Sequence, residues 1–356
     1  MRILQVITSL HTGGAEKLIV DLVPRLRALG HDVDVCLFNG EETPFKKKLR
    51  ECGCKIYELS DSGHYYNPLL MIRLLRVMRD YDIVHTHNTA PQLFASIAGL
   101  FCSAKLVTTE HSTSNRRRGW KWYKCIDRWM YNRYRKVICI SQKAENNLMD
   151  YLGHYNTDIV TIYNGVDVEA FHQANPNNSL RRTNRFVIVM VAGFRYQKDH
   201  ETLVKAMSLL DKETYELWLV GDGDRRFIVE KMVTDMGLQN NVVFWGVRFD
   251  IPELLHTADV VVMSSHLEGL SLSNIEGMCV GKPFVASDVD GLREMTEGAG
   301  ILFPHQDYQR LAEIITELHD NKTLYEETAQ ACYNRSKQFD ISKMVQAYSD
   351  VYRSLI

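Results

Sequence analysis

Short apolar runs alternate along the chain with stretches whose apolar residues recur at helical spacing. Ile3 to Ile7, broken by Gln5, reads as an opening strand and not as a signal peptide. It leads into Thr12-Gly13-Gly14, after which Leu18, Ile19, Leu22, Val23, Leu26 and Leu29 mark one face of a helix. Gly30 closes that helix and Val33 to Phe38 supplies the next strand, so a βαβ unit is predicted. Further strands at 83–85, 106–109 and 137–140 alternate with helices around 69–79, 92–102 and 142–152. Such alternation predicts a parallel sheet covered by helices on both faces.

From Gly165 to Arg185 the chain is polar, lacks a sustained apolar period and reads as a linker. The alternation restarts with a strongly apolar strand, Phe186 to Ala192, and continues through strands at 216–220, 242–245, 259–263 and 283–286, with helices at 200–210, 224–236, 272–280 and 307–319. The expected fold class is therefore α/β, with doubly wound domains over 1–170 and 171–338 and a closing segment over 339–356. Sheets of this kind bind ligands outside the carboxyl ends of their strands, and two of them facing one another across an interdomain cleft would place the chemistry there.

The densest constellation is Ser264-Ser265-His266-Leu267-Glu268-Gly269-Leu270-Ser271-Leu272-Ser273-Asn274-Ile275-Glu276. It leaves a strand, crosses a loop of small residues and enters a helix, whose first N–H groups favour phosphate oxygens. Glu268 on the loop and Glu276 a turn inside the helix suit separate tasks better than the paired acid and base of a hydrolase. One carboxylate could hold a sugar and the other a ribose; complementing the charge of a helix start is the plainer alternative. Arg195 and Lys198 follow Phe186 to Ala192 at the carboxyl edge of the same sheet, where two cations could neutralise a diphosphate leaving group or belong to a solvated loop. Gly13 and Gly14 could let a ligand approach the backbone closely. Gly221-Asp222-Gly223 lacks the third glycine of a dinucleotide fingerprint, because Arg226 stands there. His111 follows a strand and could donate to a hydroxyl or a backbone atom, although a lone histidine is more often structural. His85 and His87 share a strand face with no third ligand evident nearby, so no metal site is inferred.

Charge changes the picture in one half of the chain only. The 356 residues carry a net charge of −2, which gives no strong attraction to nucleic acid, yet residues 1–170 hold 23 basic against 18 acidic side chains, leaving −7 for the rest. Much of the excess lies in 116–136, where nine basic residues and one acid, Asp127, are interleaved with Trp120, Trp122, Tyr123, Trp129, Tyr131 and Tyr134. That composition suits an anionic membrane surface as well as a solvated helix face. The apolar stretch from Leu93 to Cys102 is about half the ~20 residues that cross a bilayer. Eight cysteines without zinc-type spacing read as reduced thiols, hence a cytoplasmic setting, with a peripheral position on the inner face of the membrane as its extension.

With these residues assembled, the sequence resembles the family 4 glycosyltransferases, a retaining family of the GT-B fold. The resemblance runs from Gly13-Gly14-Ala15-Glu16 through Asn164-Gly165-Val166-Asp167 to the closing helix, and its most specific part is Glu268-x7-Glu276, supported by Gln197-Lys198-Asp199 and Phe244-Trp245-Gly246. It implies two Rossmann-like domains, the first binding the acceptor and the second the nucleotide sugar, with the segment around Met344 to Leu355 docked back on the first. It further implies transfer of a hexosyl unit from a UDP-sugar or GDP-sugar to a hydroxyl of a glycan or lipid-linked acceptor, as in bacterial surface polysaccharide synthesis, with retention and with neither cofactor nor required metal. By this resemblance Glu268 faces the donor sugar, Glu276 the ribose, and Leu270, Ser271, Leu272 and Ser273 the phosphates and sugar. Arg195 and Lys198 hold the diphosphate, Val247 and Arg248 line the base, and His111 is the cleft histidine. Two departures stand out. Gly269-Leu270-Ser271 replaces the aromatic-glycine pair that often follows the first glutamate, and Gly193 stands where the family often has its arginine. A nucleotide-sugar epimerase of the same fold is the alternative activity.

Overall fold

A computed structural model of the chain describes residues 1–11, 13–61, 63–111, 119–120, 122–153, 158–269 and 272–356. Among them, thirteen strands form two sheets with parallel pairing throughout. The first holds β1 (Arg2–Ile7), β2 (Asp32–Leu37), β3 (Ile56–Glu58), β4 (Ile83–His87), β5 (Lys105–Glu110), β6 (Lys136–Cys139) and β7 (Asp158–Thr161), in the order β3-β2-β1-β4-β5-β6-β7. The second holds β8 (Phe186–Val191), β9 (Tyr215–Val220), β10 (Val242–Gly246), β11 (Val260–Met263), β12 (Phe284–Ser287) and β13 (Ile301–Phe303), in the order β10-β9-β8-β11-β12-β13.

Central strands read as near-continuous apolar runs because helices cover both of their faces. Val187 to Met190 in β8 and Val260 to Met263 in β11 are all buried, and Trp218 in β9 is the largest side chain buried in that core. The one acid in β9, Glu216, is satisfied there by Thr183 Oγ1 at 2.9 Å and Trp218 Nε1 at 2.5 Å.

The chain divides into one unit of Met1–Asn164 with Ser342–Ile356 and a second of Gly165–Ile341. The division falls after Asn164, six residues before the expected 170, for a visible reason. Val166 donates to the Phe339 carbonyl at 3.0 Å and accepts from Ile341 N–H at 2.9 Å, and Val166 and Val168 join the second core. The stretch expected to be a linker contains a helix, Val168–His172, capped by Asp167 on the N–H of Ala170 at 3.1 Å. The closing helix Ile341–Arg353 belongs to the first unit from Ser342 onward, with Tyr348, Ser349 and Tyr352 fully buried and Ser349 bonded to His31 at 2.8 Å.

In each unit the strand order reverses once. In the second it reverses at β8, whose neighbours are β9 on one side and β11 on the other. Loops leaving adjacent strands in opposite directions open a crevice at such a point, beyond the carboxyl ends. The loop after β8 carries Arg195 and Lys198, and the loop after β11 carries Glu268.

Candidate functional site

Lys198 and Glu268, 70 positions apart, meet at that crevice with Nζ 2.5 Å from Oε2. Both are largely enclosed, with side chains 18% and 8% exposed, so water screens the pair weakly. Ser265 Oγ adds a second donor to the same carboxylate oxygen at 3.1 Å. The ammonium has three N–H donors, and Glu268 takes one of them, leaving capacity for a second anion.

Backbone contacts join the two loops. His266 N–H donates to the Gln197 carbonyl at 2.8 Å, and Ser264 Oγ donates to the Asp199 carbonyl at 2.8 Å. Ser287 Oγ, from the end of β12, holds the Ser265 carbonyl at 2.6 Å. Asp199 adopts a left-handed conformation (φ 46°, ψ 52°) and caps the helix His200–Met207 through Thr202. An aspartate tolerates that region where most residues do not. Gly291 adds a constraint from below: a Cβ there would overlap the carbonyl oxygens of Glu268 and Gly269, so the loop rests directly on backbone.

The other expected contacts in this unit divide into several groups. Arg195 is exposed and holds no ion pair among the described residues. Arg248 is committed to Asp250, with Nε at 2.8 Å from Oδ1 and a second bond to Oδ2, and it lies over the Trp245 ring at 5.4 Å, while Val247 is exposed. Leu272 and Ser273 open the helix Leu272–Cys279 half-buried, and Glu276 is buried within it. Leu270 and Ser271 lie outside the described residues. Sequence reasoning gave no role to Asn274 in the same turn, which is fully buried with neither amide atom bonded to a described residue. Nor did it single out Arg225, which follows Gly221-Asp222-Gly223, pairs with Glu201 and lies over the Tyr196 ring at 5.6 Å.

In the first unit, Gly13 precedes the helix Gly14–Ala28 with extended backbone, and a Cβ on Gly14 would meet nothing within 4 Å. His111 stands just beyond β5 at the end of a buried polar chain. His111 Nε2 lies 2.8 Å from His87 Nδ1, and His87 Nε2 lies 2.8 Å from Gln5 Oε1. Gln5 Nε2 donates to Tyr352 OH at 3.0 Å, which lies 2.6 Å from His85 Nδ1, and His85 Nε2 reaches Thr109 Oγ1 at 2.8 Å.

With the Gln5 carboxamide oxygen toward His87, one set of protons follows along this chain. A carboxamide oxygen only accepts, so His87 carries its proton on Nε2 and accepts at Nδ1. His111 must then donate from Nε2, which leaves its Nδ1 as a lone pair. Burial holds the His111 ring down at about 4, so it is neutral near pH 7. In this arrangement the Nε2 proton of His111, expected to reach a hydroxyl or a backbone atom, is directed to His87, and the atom that faces away from the chain is an acceptor. His85 and His87, from which no metal site was inferred, are links in this chain.

The segment 116–136 splits in two. Tyr131 and Tyr134 are core residues, Tyr131 OH donating to Glu110 at 2.5 Å and Tyr134 OH to the Gln92 carbonyl at 2.7 Å. Trp120, Trp122, Ile126 and Trp129 are exposed, whereas Arg116 to Arg118 and Lys121 lie outside the described residues. Among the described residues no helix is long and apolar enough to cross a membrane. All eight cysteines are free thiols, five of them buried.

Comparison with known proteins follows the same two-part division. The family model described as Glycosyltransferase Family 4 matches residues 12–170, and the one described as Glycosyl transferases group 1 matches 171–339. The chain is 28% identical over 353 residues to the lipopolysaccharide core biosynthesis glycosyltransferase LpsD of Rhizobium meliloti, covering 96% of this chain and 95% of that one. It is 26% identical over 307 residues to the UDP-Gal:alpha-D-GlcNAc-diphosphoundecaprenol alpha-1,3-galactosyltransferase of Escherichia coli, covering 80% and 79%. The crystal structure of Anabaena HepE in complex with UDP-glucose has the same fold, with a TM-score of 0.87 and 24% identity over 99% of this chain and 100% of that one. With two Rossmann-like sheets of the GT-B type and family models matching from residue 12 to 339, the chain belongs to the family 4 glycosyltransferases.

Proposed function

We propose that the chain transfers a hexosyl unit, with retention of anomeric configuration, from a UDP-sugar to a hydroxyl of a glycan or lipid-linked acceptor, and that it does so without a required metal. The observation that carries this reading is the Lys198–Glu268 contact at the switch point of the second sheet. A cation there can take charge from a departing diphosphate while the carboxylate beside it faces the sugar. The preference for uridine draws on the donor named for the Escherichia coli relative and on the ligand of the Anabaena structure. Surface polysaccharide assembly is the setting suggested by the two bacterial relatives.

In this mechanism the acceptor hydroxyl attacks the face from which the diphosphate departs, through an oxocarbenium-like transition state. Lys198 and Arg195 stabilise charge growing on the leaving phosphate oxygen, and that oxygen accepts the hydroxyl proton. Glu276 and the first turn of its helix hold the ribose and phosphates, Val247 and Arg248 border the base, and Gly13 and Gly14 admit the acceptor close to the backbone. His111, neutral, accepts from a substrate hydroxyl at Nδ1.

Two measurements test this. UDP raises the melting temperature in a concentration-dependent way, and GDP at the same concentration does so much less. Proton NMR of the first product then shows the donor's anomeric configuration. An inverted product would remove the retaining assignment, a larger shift with GDP the base, and turnover of donor without any acceptor would favour an epimerase.

The exposed Trp120, Trp122, Ile126 and Trp129 beside Lys124 and Arg133 fit peripheral attachment to the cytoplasmic leaflet. Vesicle sedimentation checks it. Binding should rise with anionic lipid and fall when residues 116 to 118 are reversed in charge, at ~1 kcal/mol per cation. Equal pelleting with neutral vesicles would end the idea.

A further inference from the structure

Three side chains from three strand ends converge beside the Lys198–Glu268 pair. Asp199 follows β8, His266 follows β11 and His305 follows β13. His266 Nδ1 lies 2.8 Å from His305 Nε2 and 3.3 Å from Asp199 Oδ2, and one ligand atom of each residue falls within 4.8 Å of the others. Two imidazoles and one carboxylate are the donor set of zinc-class ions, too nitrogen-rich for magnesium or calcium.

The spacing fits a metal. Ligands ~2.1 Å from a tetrahedral ion stand about 3.4 Å apart. The His266–Asp199 separation, 3.3 Å, is already close to this value, and the two imidazoles need to part by about 0.6 Å, which an exposed His305 permits. The supporting contacts are also in place. Asp199 is buried, and its Oδ2 accepts from Thr202 Oγ1 at 2.7 Å, which orients the carboxylate toward His266. His266 is fixed by its backbone bond to Gln197 and by the Tyr196 ring at 4.7 Å. His305 is set by the turn before the helix Tyr308–Asp320, where Asp307 N–H donates to the Pro304 carbonyl at 2.9 Å.

We propose that Asp199, His266 and His305 form a three-ligand site for a first-row transition ion of the zinc class, with a fourth position open to solvent. Asp199 adjoins Lys198 and His266 is two residues from Glu268, so the ion clamps the two loops that carry the transfer pair. The ion is a fastener for those loops, and the charge on the leaving group stays with Lys198 and Arg195. The site stands on its own geometry and does not depend on which sugar or nucleotide the protein uses.

Titration of the full chain with ZnCl2 at pH 7.5, after treatment with EDTA, tests the proposal. Calorimetry should show one equivalent bound, and the melting temperature should rise with zinc because the ion binds the folded state. His305→Ala and His305→Gln should each weaken binding at least about tenfold. Both should keep wild-type circular dichroism, and both should keep the wild-type transfer rate in EDTA, because His305 touches neither Lys198 nor Glu268. Cobalt substitution should give the d–d bands of a four-coordinate site without a thiolate charge-transfer band. Three results would overturn the proposal: no saturable binding up to about 1 mM, unchanged affinity in both His305 variants, or a thiolate band that moves the ion to the cysteines.

Discussion

Lys198→Ala lowers kcat by ~10² to 10³ while the folded state and its thermal transition persist. One preorganised donor aimed at charge that develops in the transition state is worth about that much, because it acts where water is largely excluded. Lys198 meets the description: its side chain is 18% exposed, and the Lys198 N–H donates to the Arg195 carbonyl at 3.0 Å, fixing the turn that presents the ammonium. A rival reading makes Lys198 only a neutraliser of Glu268, whose carboxylate would otherwise be enclosed beside a single hydroxyl donor. The two are separated by removing the charge on both sides. If neutralisation were the whole role, Lys198→Ala combined with Glu268→Gln would recover turnover, because the orphaned charge is gone. The proposed reading expects the double variant to remain as slow as Lys198→Ala or slower, since the diphosphate still departs without its cation. Arg195→Ala should cost less, about tenfold, because a solvated guanidinium is worth less than an enclosed ammonium. Steady-state rates of the three variants with a saturating donor decide the matter, and near-wild-type turnover of Lys198→Ala would remove the phosphate role.

The pairing of Lys198 with Glu268 shows where the sequence was legible and where it was not. The runs Phe-Val-Ile-Val-Met-Val and Val-Val-Val-Met announce β8 and β11 because both strands are buried on two faces, and Gly-rich or small-residue loops mark their carboxyl ends. That the two strands are neighbours is decided by strand order, and no spacing along 70 residues reveals it. The edge strands β3, β7 and β13 escaped notice because runs of three or four residues, most of them half-exposed, carry no period. The helix Lys322–Ser336 escaped because its buried face is made of Thr328, Ala329, Cys332 and Ser336, which are small or polar. His111 could be singled out by its place after a strand, but its protonation could not, since that is set through His87 by Gln5, which Tyr352 holds in turn from 347 residues away. His266 lay inside the constellation from the start. What it faces, Asp199 and His305, is visible only once β8, β11 and β13 end on the same edge.

The buried histidines give the second large effect, a loss of stability on mild acidification. His85 and His87 lie well below the ordinary imidazole value because of burial, with the neighbouring histidines adding to it, and burial takes His111 and His200 to about 4. In the native state all four are therefore neutral at pH values where the unfolded chain binds protons. The sign follows directly. Their contribution is fully present above the unfolded value near 6.5 and is lost as pH falls from there toward 4, below which His111 and His200 add nothing further. Each fully neutral site adds at most ~1.4 kcal/mol of destabilisation per pH unit. The first unit, which holds three of the four and also His31, lowered by burial as well, is the more sensitive, with a ceiling of about 5 kcal/mol per pH unit. Within that unit the penalty falls on one hydrogen-bonded chain. A proton on His87 Nδ1 would point at the proton of His111 Nε2, so charging His87 breaks the link, whereas charging His111 at its free Nδ1 keeps the link and buries a charge beside it. Urea unfolding at half-unit intervals from pH 7.5 to 5 reads this slope before most carboxylates titrate. A His87→Gln variant should flatten it by about one proton's worth even if its stability at pH 7.5 is lower. A stability that stayed level between pH 7 and 5 would mean that these rings take up protons in the native protein as readily as in the unfolded chain, and would overturn their being held neutral by burial.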